Sequence, residues 1–194
     1  MKRGRRRDAA IAGHTGDEAT ARALLDDVDP AVRATAMGAL ARAGALRAVD
    51  VERALADADS SVRRRACEEA VAVAEVDLVP VLADTDPSVV EACAWALGER
   101  GAAAAGAVDA LVRVAGGHAD ALCREAAVAA LGAIGDRRGL DAVLTAAAGD
   151  RPAVRRRAVV ALAAFDGPEV DAALHAALDD RDWQVRQAAE DLLD

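Results

Sequence analysis

The stretch Asp29–Gly44, DPAVRATAMGALARAG, decides the fold, because its skeleton returns five more times along the chain. It reappears as DSSVRRRACEEA from Asp59, DPSVVEACAWALGERG from Asp86, DALCREAAVAALGAIG from Asp120, RPAVRRRAVVALAAFDG from Arg151 and DWQVRQAAEDLL from Asp182. Starts at 29, 59, 86, 120, 151 and 182 lie 30, 27, 34, 31 and 31 residues apart. A period of about thirty residues marks stacked supersecondary units. With the first residue of each copy numbered zero, that residue is Asp in all copies but the one at Arg151, and Pro30, Pro87 and Pro152 follow it in three of them. An acidic N-cap followed by a proline at N1 starts a helix.

Apolar or small residues recur at positions three (Val32, Val62, Val89, Cys123, Val154, Val185), seven (Ala36, Ala66, Cys93, Ala127, Ala158, Ala189) and eleven (Leu40, Ala70, Leu97, Leu131, Leu162, Leu193). That spacing is one stripe of an α-helix. Gly44, Gly101 and Gly135 at position fifteen, with Gly167 one later, suit the left-handed residue that ends such a helix. A shorter amphipathic segment precedes each copy, as in DEATARALLDD and PEVDAALHAALDD, so each unit is a helical hairpin. Neither helix can bury its apolar face alone. The predicted fold is therefore all-α, an α-solenoid of about six stacked helical hairpins, right-handed or nearly straight. Residues 1–7 are read as a disordered basic tail and 8–194 as a single solenoid. Pro80, inside one first helix, predicts a kink or a late start there.

Composition agrees with helices throughout: 54 % of the 194 residues are hydrophobic, only 2 % are aromatic, and alanine supplies the close packing. A net charge of −9 speaks against a general nucleic-acid binder, which needs a basic surface to displace counterions. Basic partners suit it better, although acidity also serves solubility. Cys67, Cys93 and Cys123 have no paired spacing and fall within predicted helices, as buried free thiols do. His14, His118 and His175 are far apart, so no metal is expected, and no other cofactor or small-molecule substrate is indicated. No apolar run approaches the length of a membrane span, and MKRGRRRD leads into no signal-peptide core. A cytoplasmic protein is the expectation.

The pattern D-P-x-V-R-x-x-A-x-x-A-L-x-x-x-G resembles the HEAT repeat, in the short form found in phycobilisome-lyase-related proteins, over roughly residues 17 to 194. The resemblance implies that second helices line a concave surface. It also implies that the position-four arginines, Arg33, Arg63, Arg124, Arg155 and Arg186, reach an inter-helix Asp or carbonyl of a neighbouring unit and tie the turns together; Val90 is the exception. It fits several roles: scaffold, regulator, chaperone-like lyase of bilin attachment, or alkylpurine DNA glycosylase.

Binding residues should lie where the consensus is silent, at positions five, nine and twelve, opposite the buried stripe. In the first copy these are Ala34, Gly38 and Ala41. Elsewhere they include Trp95, Glu91, Glu125, Arg64 and Arg156, the candidate partner-binding residues. Trp95 either anchors a partner side chain or packs over the gap left by Gly98, Ala129 and Gly132. The mixed charges suit a charged peptide, or a solvated face. Phe165 is expected in the core and Trp183 as a cap on the end of the stack. No nucleophile–base constellation or phosphate loop is present, so no catalytic residue is assigned. The function that follows is a non-enzymatic scaffold or adaptor for an unknown protein or peptide, with no nucleic-acid or membrane partner. The alternative is a bilin-lyase-like chaperone or regulator, and less so a HEAT-like glycosylase.

Overall fold

In the computed structural model, which describes residues 2–193 and only the backbone of Lys2 and Arg3, the aspartate that opens every repeat but the one at Arg151 caps a helix. The Oδ1 atoms of Asp29, Asp59, Asp86, Asp120 and Asp182 each accept the backbone N–H two residues on, at 2.8–3.1 Å. The helices are α1 (Lys2–Thr15), α2 (Glu18–Ala23), α3 (Pro30–Arg42), α4 (Ala48–Leu55), α5 (Ser60–Ala70), α6 (Pro87–Glu99), α7 (Val108–Gly117), α8 (Ala121–Ile134), α9 (Leu140–Gly149), α10 (Pro152–Ala161), α11 (Pro168–Ala177) and α12 (Trp183–Leu193), with no strand among the described residues. The stripe read from the sequence is the core. Every residue at positions three and seven is buried, and at position eleven only Leu193, near the C-terminal end, stands exposed.

The chain forms two compact units, Met1–Cys93 and Ala94–Asp194. In unit 1, α3 packs between α1 and α5, with α2 and α4 as the first helices. In unit 2, α10 packs between α8 and α12, and α7, α9 and α11 are the first helices. Each is a stack of helical hairpins, the α-solenoid architecture. The third repeat departs from the pattern: its first helix is a 3-10 segment, Val79–Ala83, with Pro80 in its opening turn. Pro80 lacks an N–H and tolerates only a helix start, so the segment begins late and stays short.

The N-terminal segment corrects the sequence reading. From residue 2 onward the expected tail is part of α1, which lies against α3; Met1 is outside the described residues. This helix is a further copy of the second helix. It ends at Gly16 (φ +73°) with the Asp17 N–H donating to the Ala12 carbonyl at 2.9 Å, just as α3 ends at Gly44 (φ +65°) with the Ala45 N–H on the Leu40 carbonyl at 2.9 Å. Both are Schellman closures that only a residue tolerant of positive φ permits cheaply. Ala12 packs with Ala21, Ala39 and Leu40, and a Cβ on Gly13 would stand 2.6 Å from the Ala39 Cα.

The position-four arginines form the ladder that the repeat pattern implied. Arg33 donates through Nε and Nη2 to both oxygens of Asp57 (2.8 and 2.7 Å) and through Nη1 to the Asp27 carbonyl (2.8 Å). Arg63 does the same to Asp84 and the Asp57 carbonyl, Arg124 to Asp150 and the His118 carbonyl, and Arg155 to Asp180 and the Asp150 carbonyl, all at 2.7–2.9 Å. Arg5 adds a rung at the N-terminus, 2.7 Å from Asp27. Arg186 donates to the Asp180 carbonyl at 2.7 Å. The arginine bonds hold the Asp84, Asp150 and Asp180 carboxyls below their ordinary range, against the opposing pull of burial. At Asp57 burial pushes upward most strongly, yet Arg33 and the Asp59 N–H together outweigh it and the net direction is down.

Two outcomes follow from this packing. Gly13→Val should destabilise the protein by about 1–3 kcal/mol in urea unfolding, the scale of core overpacking, whereas Gly4→Ala, with nothing within 4 Å, should not; equal effects would mean that α1 is undocked. Arg155 is 3 % exposed and its partner 13 %, so Arg155→Met strands a desolvated carboxylate and should cost about 3 kcal/mol, the low end for a broken buried pair. Adding Asp180→Asn should recover much of that loss. Because the folded carboxyls titrate below their unfolded values of about 4, the ladder's contribution is complete above that pH and is lost as pH falls through the lower folded values. Arg155→Met should therefore flatten the acid limb of the stability profile.

Candidate functional site

With positions three, seven and eleven turned inward, positions five, nine and twelve come out on the opposite side of each second helix. In unit 1 this places Arg64 in solvent, 3.7 Å from a carboxylate oxygen of Glu68, and leaves Glu91 half-buried on α6. Gly38 does not join the exposed lining. It is buried because the Arg65 guanidinium lies directly over it, held by Glu68 at 3.1 Å and Glu69 at 2.7 Å. Burial pushes the Glu69 carboxyl up, although Arg65 pulls the other way.

In unit 2 the second helices approach through their smallest residues. A Cβ on Gly98 would stand 3.1 Å from the Ala130 Cα, and one on Gly132 would stand 2.7 Å from the Ala161 Cβ. Such closeness leaves a low surface, and what rises from it is Trp95, 47 % exposed, one turn before Gly98, and Val160, equally exposed. A shallow cleft runs over Ala129, Gly132, Ala133, Val160 and Ala163, with Arg157 at its edge. Half of the Trp95 residue faces solvent and half is covered.

Glu125 and Arg156 are brought together. The Glu125 carboxylate lies 3.6 Å from the Arg157 Nε and 4.0 Å from the Arg156 Nη2. One carboxylate thus meets two guanidiniums, and the local balance is basic. The mixed charges expected along this face thus answer one another in part within the protein itself. Phe165 is buried as expected. Trp183 is not the shield it was expected to be, since it is 65 % exposed. Cys67, Cys93 and Cys123 are buried, and the Cys93 thiol donates to the Leu78 carbonyl at 3.2 Å. Among the described residues no three His, Cys, Asp or Glu gather as a metal site would require, and no helix is long and apolar enough to cross a membrane.

The sequence matches the family model for HEAT repeats over residues 51–132, 75–158 and 108–194. No curated protein matches it. Among solved structures, it is similar to an engineered protein (TM-score 0.67, 21 % identity, covering 91 % of this chain and 95 % of the other). It is also similar to the complex of CpcE and CpcF of phycocyanin lyase from Nostoc sp. (TM-score 0.62, 21 % identity, 91 % and 75 %). A third similar structure is human deoxyhypusine hydroxylase (TM-score 0.51, 21 % identity, 97 % and 77 %). At these identities the likeness establishes the fold and nothing about activity.

The exposure of Trp95 has a direct optical consequence. In a Trp183→Phe background its emission should be red-shifted and open to iodide or acrylamide quenching in the free protein; a blue-shifted, quencher-resistant indole would contradict the surface position.

Proposed function

Because the chain belongs to the HEAT-repeat family, we propose that it is a non-enzymatic scaffold or adaptor that binds a protein or peptide segment on its second-helix face, with Trp95 as the anchor. The observation that carries this reading is the half-exposed indole rising from a surface of glycine and alanine in unit 2. A large, stiff aromatic ring beside small neighbours offers contact area at little entropic cost, and such residues dominate interface energetics. Val160 is a second exposed apolar side chain of unit 2, and Arg156 and Arg157 lie against Glu125. An apolar centre with a charged rim is the usual anatomy of a protein interface. Arg64 and Glu91 belong to unit 1 and are candidates for contacts of their own.

The similarity to the CpcE and CpcF complex supports a role through protein partners. A bilin-lyase-like role rests on that similarity alone, with no residue of this chain to carry it. The test is binding measured against a partner captured from the native host. Trp95→Ala should weaken that binding by about 2 kcal/mol, the scale of a hot-spot aromatic, while leaving helicity and melting unchanged. Unaltered affinity would remove Trp95 from the interface, and a stability loss of several kcal/mol would return it to a packing role.

A further inference from the structure

The charge of this acidic chain is unevenly distributed over its helix faces. In unit 1, Arg6 on α1, Arg42 on α3, and Arg64 and Arg65 on α5 surround one groove with a floor of small residues, among them Ala34 and Thr35. Glu68 is the carboxylate in its lining, and Glu69 stands beside Arg65. Four guanidiniums thus face two carboxylates in a protein whose net charge is −9.

These arginines are not used up by internal bonds. Arg65 is the exception, held by Glu68 and Glu69. Arg64 has, among the described residues, only the loose 3.7 Å approach of Glu68. Arg6 and Arg42 are exposed and form no ion pair among the described residues, Arg42 acting on Glu69 only at longer range. Two of the four are also seated: the Arg65 guanidinium lies over Gly38, and the Arg42 Nη2 would be 2.6 Å from a Cβ on Gly13. The missing side chains of these glycines make room for the planar groups, which holds the groups in place before any ligand arrives. Clustering like charges is unfavourable in itself, and an anion relieves it.

We propose that this groove docks an extended peptide segment rich in aspartate or glutamate. A guanidinium presents paired N–H donors that match a carboxylate, so arginine is the side chain suited to this recognition. The three helices α1, α3 and α5 are stacked neighbours, and packed helices are spaced about 8–10 Å apart. An extended chain advances about 3.3 Å per residue, so a segment crossing them meets a new helix about every third residue. A nucleic-acid strand suits the groove less well: its lining offers no aromatic ring for base stacking, and Glu68 opposes a continuous phosphate backbone. The proposal is separate from the Trp95 reading, since it concerns other residues and a different chemistry.

Fluorescence anisotropy of the whole chain tests it, with a labelled peptide of about twelve residues bearing glutamate at every third position. The comparators are the same peptide with lysine in place of glutamate and a single-stranded DNA of similar length. The glutamate peptide should bind at low ionic strength and lose affinity as salt shortens the Debye length to about 3 Å near 1 M. Arg42→Gln combined with Arg64→Gln should weaken it about tenfold, as losing two interfacial charge contacts does. Arg6→Gln, on another helix, should weaken it independently. Gly38→Ala displaces only the far end of Arg65, so it should reduce affinity while preserving the melting temperature. Trp95→Ala should leave this binding unchanged. Undetectable binding, equal binding of the lysine peptide, or affinity untouched by the arginine substitutions would overturn the proposal. DNA bound as tightly as the glutamate peptide would overturn it in favour of a nucleic-acid surface. Loss on Trp95→Ala alone would overturn it while leaving the Trp95 interface standing.

Discussion

A guanidinium at position four of the repeat carries out two bonding tasks at once, and each hairpin stack depends on them. Through Nη1 it closes onto the carbonyl of the turn just before its own helix, and through Nε and Nη2 it grips the aspartate of the next turn, as Arg33 does between the Asp27 carbonyl and the Asp57 carboxylate. Lysine could supply the charge but not three donors in a fixed plane. The gripped aspartate is itself committed to its turn, since Asp57 Oδ1 also accepts the Asp59 N–H at 2.9 Å. Turn geometry, helix start and spacing of successive hairpins are therefore set by one connected network. Because the groups are largely withdrawn from water, each partner is costly to lose.

Once the turns are fixed in register, the size of the helix residues determines how near the second helices come. Glycine and alanine at the crossing points, Gly13 on Ala39 in unit 1 and Gly132 on Ala161 in unit 2, let backbones approach where a larger residue would hold them apart. The outer side of such a layer is low, so any long side chain on it projects. In unit 2 those side chains are Trp95, Val160 and a pair of arginines around Glu125. In unit 1 they include Arg6, Arg42, Arg64 and Arg65, two of them seated over glycines, with Glu68 among them. Many of the acidic groups meanwhile work in the turns as caps and ladder acceptors. An acidic chain can thus present locally basic faces, and net charge by itself misjudges what those faces bind.

The parts of this fold legible in the sequence were those written in periodic form. Aspartate caps, the buried stripe and the inter-hairpin role of the arginines all recur in phase, and repetition separates them from chance. The first helix was missed because its opening residues are basic and bring Asp8 to position seven, where the other copies carry Ala or Cys. Its signals were nevertheless present: Arg5 at position four, Ala12 at eleven and Gly16 at fifteen. The surface chemistry was less legible for a different reason. Whether Gly38 is open or covered depends on where Arg65 of the next repeat lies, and whether Glu125 is free depends on Arg156 and Arg157; a linear pattern states neither.

One departure from the pattern is matched by another. The repeat that opens at Asp86 carries Val90 at position four, and the turn before the next repeat carries His118 where Asp27, Asp57 and Asp84 stand in earlier copies. His118 keeps the aspartate's local duties. Its Nδ1 accepts the Asp120 N–H at 3.1 Å, and its carbonyl accepts from Arg124 at 2.8 Å. What an imidazole cannot do is take the two-point grip of a guanidinium as a carboxylate does. An arginine at position 90 would then be a charge with no carboxylate at the corresponding place in the pattern, and the chain has instead a valine that is fully buried. Donor and acceptor have been given up together in the sequence while the turn's own hydrogen bonds are kept. The ladder is therefore a property of matched pairs: a copy can lose its rung and still form its helix, because the cap and the rung rest on different atoms.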